Sequence, residues 1–320
     1  MKALHPVCVA WLCGIAPAGA QEGEKITLKL ALKPGTSYAV RTTMDQTIRE
    51  QVGAARTETR QTIRNDLRTE IEEVDRDGVA RVAIKYVGVS VKIAGPGGSV
   101  EFDSQHPPRQ VHPVARSYAA LLGKGYQVRL APDGRVNAVI GGAQLAEALL
   151  KDLNLRPGPE RDQAAAALRR DFGDETIRES VERSMAIFPN KPVGVGDEWT
   201  STMKLSRRFP MVLQNRFRVR ERKEGRAVLD VTTAITPNPE ARHMEMGPIR
   251  YDAALEGNQA GTLEVDEATG WIVRSQLKQA IKGTLKPVGR TDVPPTLLDI
   301  TGTLSHEPGP EIPGQQKQTP

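Results

Sequence analysis

Cysteine is almost absent from this 320-residue chain, and both copies, Cys8 and Cys13, lie in the first 20 residues. Those residues read as an export signal: Lys2 is the basic start, Val7 to Ile15 the apolar run, and Ala18-Gly19-Ala20 the cleavage site. The mature chain, beginning near Gln21, is then expected to contain no cysteine, which excludes disulfide staples, thiolate nucleophiles and Cys-ligated metals. Cys13 follows Ala10-Trp11-Leu12, which is not the context of a lipid-attachment site. Long apolar runs are also missing. The run in the signal is far short of the roughly 20 residues needed to cross a bilayer core, and no later stretch is apolar enough to span, so no transmembrane segment is expected. Aromatics make up only 4% and hydrophobic residues 38%, which argues for thin or curved layers over one thick core. The net charge of +5 becomes +4 once Lys2 leaves, too weak a basic balance for a nucleic-acid partner. Together these readings place the protein outside the cytoplasm, periplasmic or extracellular.

Sets of residues able to do chemistry are scarce as well. Ser201-Thr202-Met203-Lys204 matches the S-x-x-K pattern of serine enzymes, but that mechanism needs a helix, and on a strand Ser201 and Lys204 face opposite ways. Lys282-Gly283-Thr284 has the wrong order for the companion motif. Asp103, His106 and His112 share a Pro-rich loop, and His243-Met244-Glu245-Met246 has copper-type donors; both are read as ordinary loop or packing residues. Asp75-Arg76-Asp77-Gly78 opens like a calcium loop, yet Tyr86 occupies the place of the bidentate glutamate. Gly95 to Gly98 lacks the Lys-Ser/Thr pair of a phosphate loop. No catalytic residues, metal or cofactor are assigned, and the protein is read as non-enzymatic.

What the chain does have is a β pattern that occurs twice. Pro34-Gly35 leads to Tyr38, and Gly194-Val195-Gly196-Asp197 leads to Trp199. Long hairpins turn at Asp75 to Gly78 and Arg222 to Gly225, and shorter ones at Pro132-Asp133-Gly134 and Ala268-Thr269-Gly270. One degenerate copy is assigned to residues 26–140 and the other to 192–285, within a single α+β domain spanning 21–304. Ile26, Leu28, Leu30 and Leu32 alternate as on a half-buried strand, and Thr57 to Val74 also reads as strand. Apolar positions change parity between Tyr86 and Val87, which predicts a β-bulge near Gly88 that would bend the sheet. Ala94 to Pro113 reads as an irregular loop, and Ser305 to Pro320 as a disordered tail.

Between the copies, residues 142–188 read as three amphipathic helices, the second opened by Pro159 and ended by Gly173, the third capped by Asp174. The predicted fold is a curved antiparallel sheet or incomplete barrel with these helices on its concave face. Leu149, Leu153, Val181 and Met185 are candidates to line a cavity between helices and sheet. Arg216, Arg218, Arg220 and Arg222 share parity, so one face of their strand is expected to carry four guanidinium groups suited to an anionic surface such as lipid headgroups. The alternative is a solvated face neutralised by neighbouring strands.

Leu32 to Tyr38, the Val74-to-Gly78 turn, Leu130 to Gly134 and Pro192 to Trp199, taken in order, resemble a family of exported bacterial proteins of unknown function. In layout the chain is also similar to periplasmic lipoprotein carriers of the Lol type, and this resemblance implies a sheet closing over helices around an apolar cavity. The expected function is binding or carriage of a lipid or other amphipathic ligand. The alternative is a structural or interaction module that meets an envelope protein partner.

Overall fold

The computed structural model describes residues 24–206, 209–246 and 249–310; residues 1–20, where an export signal is expected, and residues 311–320 of the tail lie outside them. In chain order the elements begin with β1 (Ser37–Val52), β2 (Ala55–Val74), β3 (Ala80–Gly95), β4 (Gly98–Asp103), α1 (Pro113–Ala119), β5 (Gly125–Leu130) and β6 (Val136–Ile140). Three helices follow, α2 (Gly142–Asp152), α3 (Pro159–Phe172) and α4 (Asp174–Met185). The chain then returns to strands: β7 (Glu198–Leu205), β8 (Met211–Lys223), β9 (Arg226–Pro237), β10 (His243–Met246), β11 (Ile249–Asp266), β12 (Ile272–Pro287) and β13 (Thr296–Pro308).

All thirteen strands join one antiparallel sheet of order β6-β5-β3-β2-β1-β13-β12-β11-β9-β8-β7, with β4 on β3 and β10 on β11 as side pairings. The first half runs 6-5-3-2-1 and the second 12-11-9-8-7, so the two β-rich segments share one strand order and β13 joins them. The sheet is open and curved, with helices on its concave face, an α+β architecture. Backbone crowding accompanies the curvature. Gly257 and Gly261 of β11, Gly283 of β12 and Gly302 of β13 all point inward, where a Cβ would run into a carbonyl oxygen of the adjoining strand. Only glycine lets the backbones approach so closely.

The bulge lies where the parity change places it. Asp66 pairs with Gly88 and Leu67 with Tyr86, leaving Val87 as the extra residue. The inner face can therefore be buried on both sides of the bulge, at Val82 and again at Val89 and Val91.

Helices α2, α3 and α4 match the amphipathic reading. Pro159 opens α3 and Gly173 ends it, but the cap of α4 is not Asp174 as expected: Gly173 is the N-cap, and Asp174 lies in the first turn. Among them α2 packs on β5 and α4 on β6 at one end of the sheet, and Glu179 of α4 accepts from Ser206, which follows β7 at the other end.

Four further expectations need correction. Ile26 to Lys33 is extended but is not a strand of the sheet: it makes one bridge, Ile26 to Val193, and its Leu30 and Ala31 amides donate to Pro132 and Thr269. Its alternation still reports burial, because Leu28 enters one core cluster and Leu30 and Leu32 another, so the segment ties the two halves together. The expected loop from Ala94 to Pro113 contains the hairpin strand β4 and the cap of a further short helix, α1, where His112 Nδ1 accepts from the Val114 amide. Ser305 to Pro308 is not disordered but ends β13, a central strand paired on both sides. Finally, the four arginines do not share one face, as the site geometry makes plain.

Candidate ligand-binding face

The strand register lines up inward residues across the sheet. One row holds Ser201, Asn215, Thr233, Gln259, Gln279, Gly302, Gln46 and Gln61, a polar belt crossing eight strands from β7 to β2. Apolar rows flank it. On one side are Phe217, Val231, Leu277, Leu304, Met44 and Ile63; on the other are Leu213, Ile235, Ile281, Ile300 and Ile48. No Asp, Glu, Lys or Arg stands in these rows, although charges crowd the opposite face of the same strands, with Arg49 bonded to Glu58 and Arg64 to Asp103.

The two ends of the belt differ. Near β7 it is satisfied internally: Asn215 Nδ2 donates to Ser201 Oγ at 3.2 Å, Thr233 Oγ1 donates to Asn215 Oδ1 at 2.8 Å, and Ser201 Oγ donates to the Ala186 carbonyl at 2.9 Å. Towards β1 the amides of Gln46, Gln61, Gln259 and Gln279 have no side-chain hydrogen-bond partner among the described residues. Each is half-buried and keeps two donors and an acceptor for solvent or a ligand. Around them Met44, Ile48, Ile63, Leu277, Ile300 and Leu304 are only half-buried, because the helices cover the other end of the sheet.

The predicted cavity residues are not brought together. Leu149 and Leu153 pack with Val89, Leu121 and Leu145 in one cluster, whereas Val181 and Met185 pack with Leu130, Val136 and Trp271 in another. Tyr38 stacks on Trp271 with ring centroids 4.3 Å apart, closing that second cluster. Beneath α2, burial pushes the Tyr86 hydroxyl up to about 12 and raises that of Tyr126 further. None of the four candidates lines either of two surface clefts, of about 240 and 90 Å³, among the described residues.

For the arginines the deciding feature is a second bulge, at Arg220, since Val219 pairs with Leu229 and Glu221 with Val228. The extra residue reverses parity, so Arg222 falls opposite the buried Ala227, on the face of Phe217 and Val219. There it grips Glu267 through Nε and Nη2, at 2.7 and 3.0 Å. Arg216 pairs with Glu198 of β7 at 2.6 Å and Arg220 with Asp230 of β9. Arg218 is exposed and has no ion-pair partner among the described residues.

Several of the residues considered for catalysis or metal binding make contacts within the fold. Ser201 faces inward while Lys204 faces outward to Glu240. Asp75 Oδ1 accepts from the Asp77 and Val79 amides, the bonding of a tight hairpin turn. Met244 is core, and Asp103 bonds Arg64.

The belt and its bare apolar flanks escaped the sequence reading, although signals for both exist. Met44, Gln46 and Ile48 continue the alternation of Val40 and Thr42, and Leu298, Ile300, Gly302 and Leu304 alternate in the same way between Pro-rich stretches.

Fold and face define an open, curved antiparallel sheet whose helix-free part carries uncharged rows on its inner face. A family model described as a family of unknown function (DUF6263) matches residues 77–272, more than half of the chain, and the chain belongs to that family. The match runs from the β2–β3 turn to the first residue of β12, so β1 and β13 lie outside it. No curated protein matches. The crystal structure of Pseudomonas aeruginosa OpdQ aligns over 86% of this chain and 98% of that one at 7% identity, with a TM-score of 0.17, a likeness too slight to carry any argument. No helix among the described residues is long and apolar enough to cross a membrane, which says nothing of strands.

Proposed function

We propose that the protein is an exported envelope component that binds an amphipathic molecule, without catalysis, on the inner face of β1, β2, β12 and β13. One observation carries this reading: three adjoining rows of that face hold no charge and are half-exposed, with glutamine amides set between two apolar rows and Glu50 standing just beyond them, while the reverse face is crowded with charge. An acyl chain would lie along Met44, Leu277 and Leu304 or along Ile48, Ile281 and Ile300. An ester or amide linkage would meet Gln46 and Gln279, whose free donors and acceptors suit an uncharged polar group better than an ion. The export-type start of the sequence supports the same reading.

The test is titration of a fluorescent fatty acid into the full chain, alongside native mass spectrometry of protein purified from its own envelope. Saturable uptake, and its loss in a Met44→Lys/Leu304→Lys variant that keeps the native circular dichroism, are expected. Absence of uptake and of bound lipid, or uptake indifferent to that variant, would refute the proposal and favour a face that meets a protein partner.

A further inference from the structure

The larger cleft lies away from the inner face, where the edge of β11 passes from one partner to another. β9 stops pairing with β11 at Ile235 and Gly257, and β10 takes over at His243 and Asp252. The connection from Pro237 to Arg242 bridges that gap, tied down by the Ala253 amide donating to the Arg242 carbonyl at 2.8 Å. Asn238, 2% exposed, stiffens it: Nδ2 donates to the Leu205 carbonyl at 3.0 Å, and Oδ1 accepts from the Glu240 amide at 3.0 Å. A cleft of about 240 Å³ results, walled by Pro237 and Pro239 on one side and by Asp252, Ala254, Thr284 and Lys286 on the other.

Its cations are two of several left without an ion pair among the described residues, Lys278 and Lys282 of β12 included, but Arg242 and Lys286 share a cleft. Many arginines and lysines here are matched to a carboxylate, as Lys204 is to Glu240 close by. Arg242 and Lys286 both line the cleft, and neither has an ion-pair partner among the described residues; Asp252 is the one carboxylate on its wall. The cleft therefore carries a net charge of about +1 by this count of side chains, with a guanidinium fork, an ammonium and the Thr284 hydroxyl as donors.

We infer that this cleft binds a small organic phosphate monoester, its phosphate held by Arg242, Lys286 and Thr284 and its organic part against Pro237 and Pro239. Fork plus point charge suits a dianionic tetrahedral group, and the volume exceeds what phosphate alone would fill. The rigid connection means little ordering is needed on binding. Asp252 opposes the anion and so sets a ceiling on affinity.

Calorimetric titration of glycerol 3-phosphate into the full chain, with glycerol and inorganic phosphate as controls, tests this. Glycerol 3-phosphate should bind saturably and glycerol should not; inorganic phosphate should bind more weakly. Arg242→Gln and Lys286→Gln should each weaken binding about tenfold, and Asp252→Asn should strengthen it. Arg242 and Lys286 are exposed and Asp252 is half-buried, and unchanged circular dichroism should confirm intact folds. Should a variant fail to fold, amide chemical-shift changes in the native protein, expected at Asn238, Ala254 and Thr284, decide instead. The proposal is overturned by no saturable binding below about 10 mM, by equal affinity for inorganic phosphate, by indifference to both cation substitutions, or by shifts elsewhere. The fatty-acid experiment probes a different face, so either proposal can fail without the other.

Discussion

Replacing Gly88 with alanine tests the junction that bends the first half of the sheet. Gly88 follows the bulged Val87 and pairs with Asp66, which is 3% exposed and holds Arg41 through two bonds, Nε to Oδ1 at 2.6 Å and Nη2 to Oδ2 at 3.0 Å. That bonding holds the Arg41 pKa above its ordinary value. The φ of Gly88 is not positive, so alanine brings no backbone strain; the obstacle is steric. A Cβ there would lie 2.7 Å from Asp66 Oδ2 and 3.1 Å from Asp66 Cβ. Either the carboxylate leaves its two-pronged geometry, where a charged hydrogen bond contributes about 1.5–3 kcal/mol, or the strands part, and overpacking costs about 1–3 kcal/mol. Both routes give a loss near 2 kcal/mol, which in a chain of this size lowers Tm by roughly 3 °C. Thermal and urea unfolding of Gly88→Ala, Asp66→Ala and the double variant form a cycle. If the clash is with the carboxylate, Gly88→Ala should cost less than about 1 kcal/mol once Asp66 is alanine. A Tm within about 1 °C of the native value, or an equal cost in both backgrounds, would refute the reasoning.

Two further predictions concern side chains on the inner face. Arg222 and Glu267 are 19% and 16% exposed, so Arg222→Gln should cost about 1.5–3 kcal/mol in urea unfolding, whereas Arg216→Gln and Arg218→Gln should stay within about 0.5 kcal/mol; equal effects at the three sites would contradict the parity reversal at Arg220. His306 faces inward between Thr42 and Ser275, with Nε2 2.9 Å from the Ile272 carbonyl, and burial holds its pKa below 6.5 despite that acceptor. The unfolded chain therefore takes up this proton first. Its contribution is complete above pH 6.5 and declines as pH falls towards the folded value, by at most about 1.4 kcal/mol per pH unit. His306→Gln should flatten that part of the stability profile, and an unchanged slope would show that other groups cause it.

Local chemistry was enough to read the hairpin turns, the three central helices and the bulge near Gly88, because each depends on neighbours in the chain: a Gly-containing turn, a Pro or Gly at a helix end, a change of apolar parity. It was also enough to read Leu28, Leu30 and Leu32 as buried. Whether that segment joins the sheet was not legible, since alternate burial is the same for a strand and for an extended chain laid across a core. Position within the sheet was illegible for the same reason: β13 pairs with β1, more than 240 residues earlier, and nothing in Leu298, Ile300 and Leu304 names that partner. The arginine stripe shows the limit most directly. Its parity in the sequence is real, but one extra residue at Arg220 turns Arg222 to the other face, and only the pairing with β9 reveals it. The candidate binding face is likewise a product of register. Gln46, Gln279 and Gln259 are ordinary strand residues until long-range pairing lays them side by side, because a strand's own periodicity determines which residues share a face and only its neighbours determine what that face is next to.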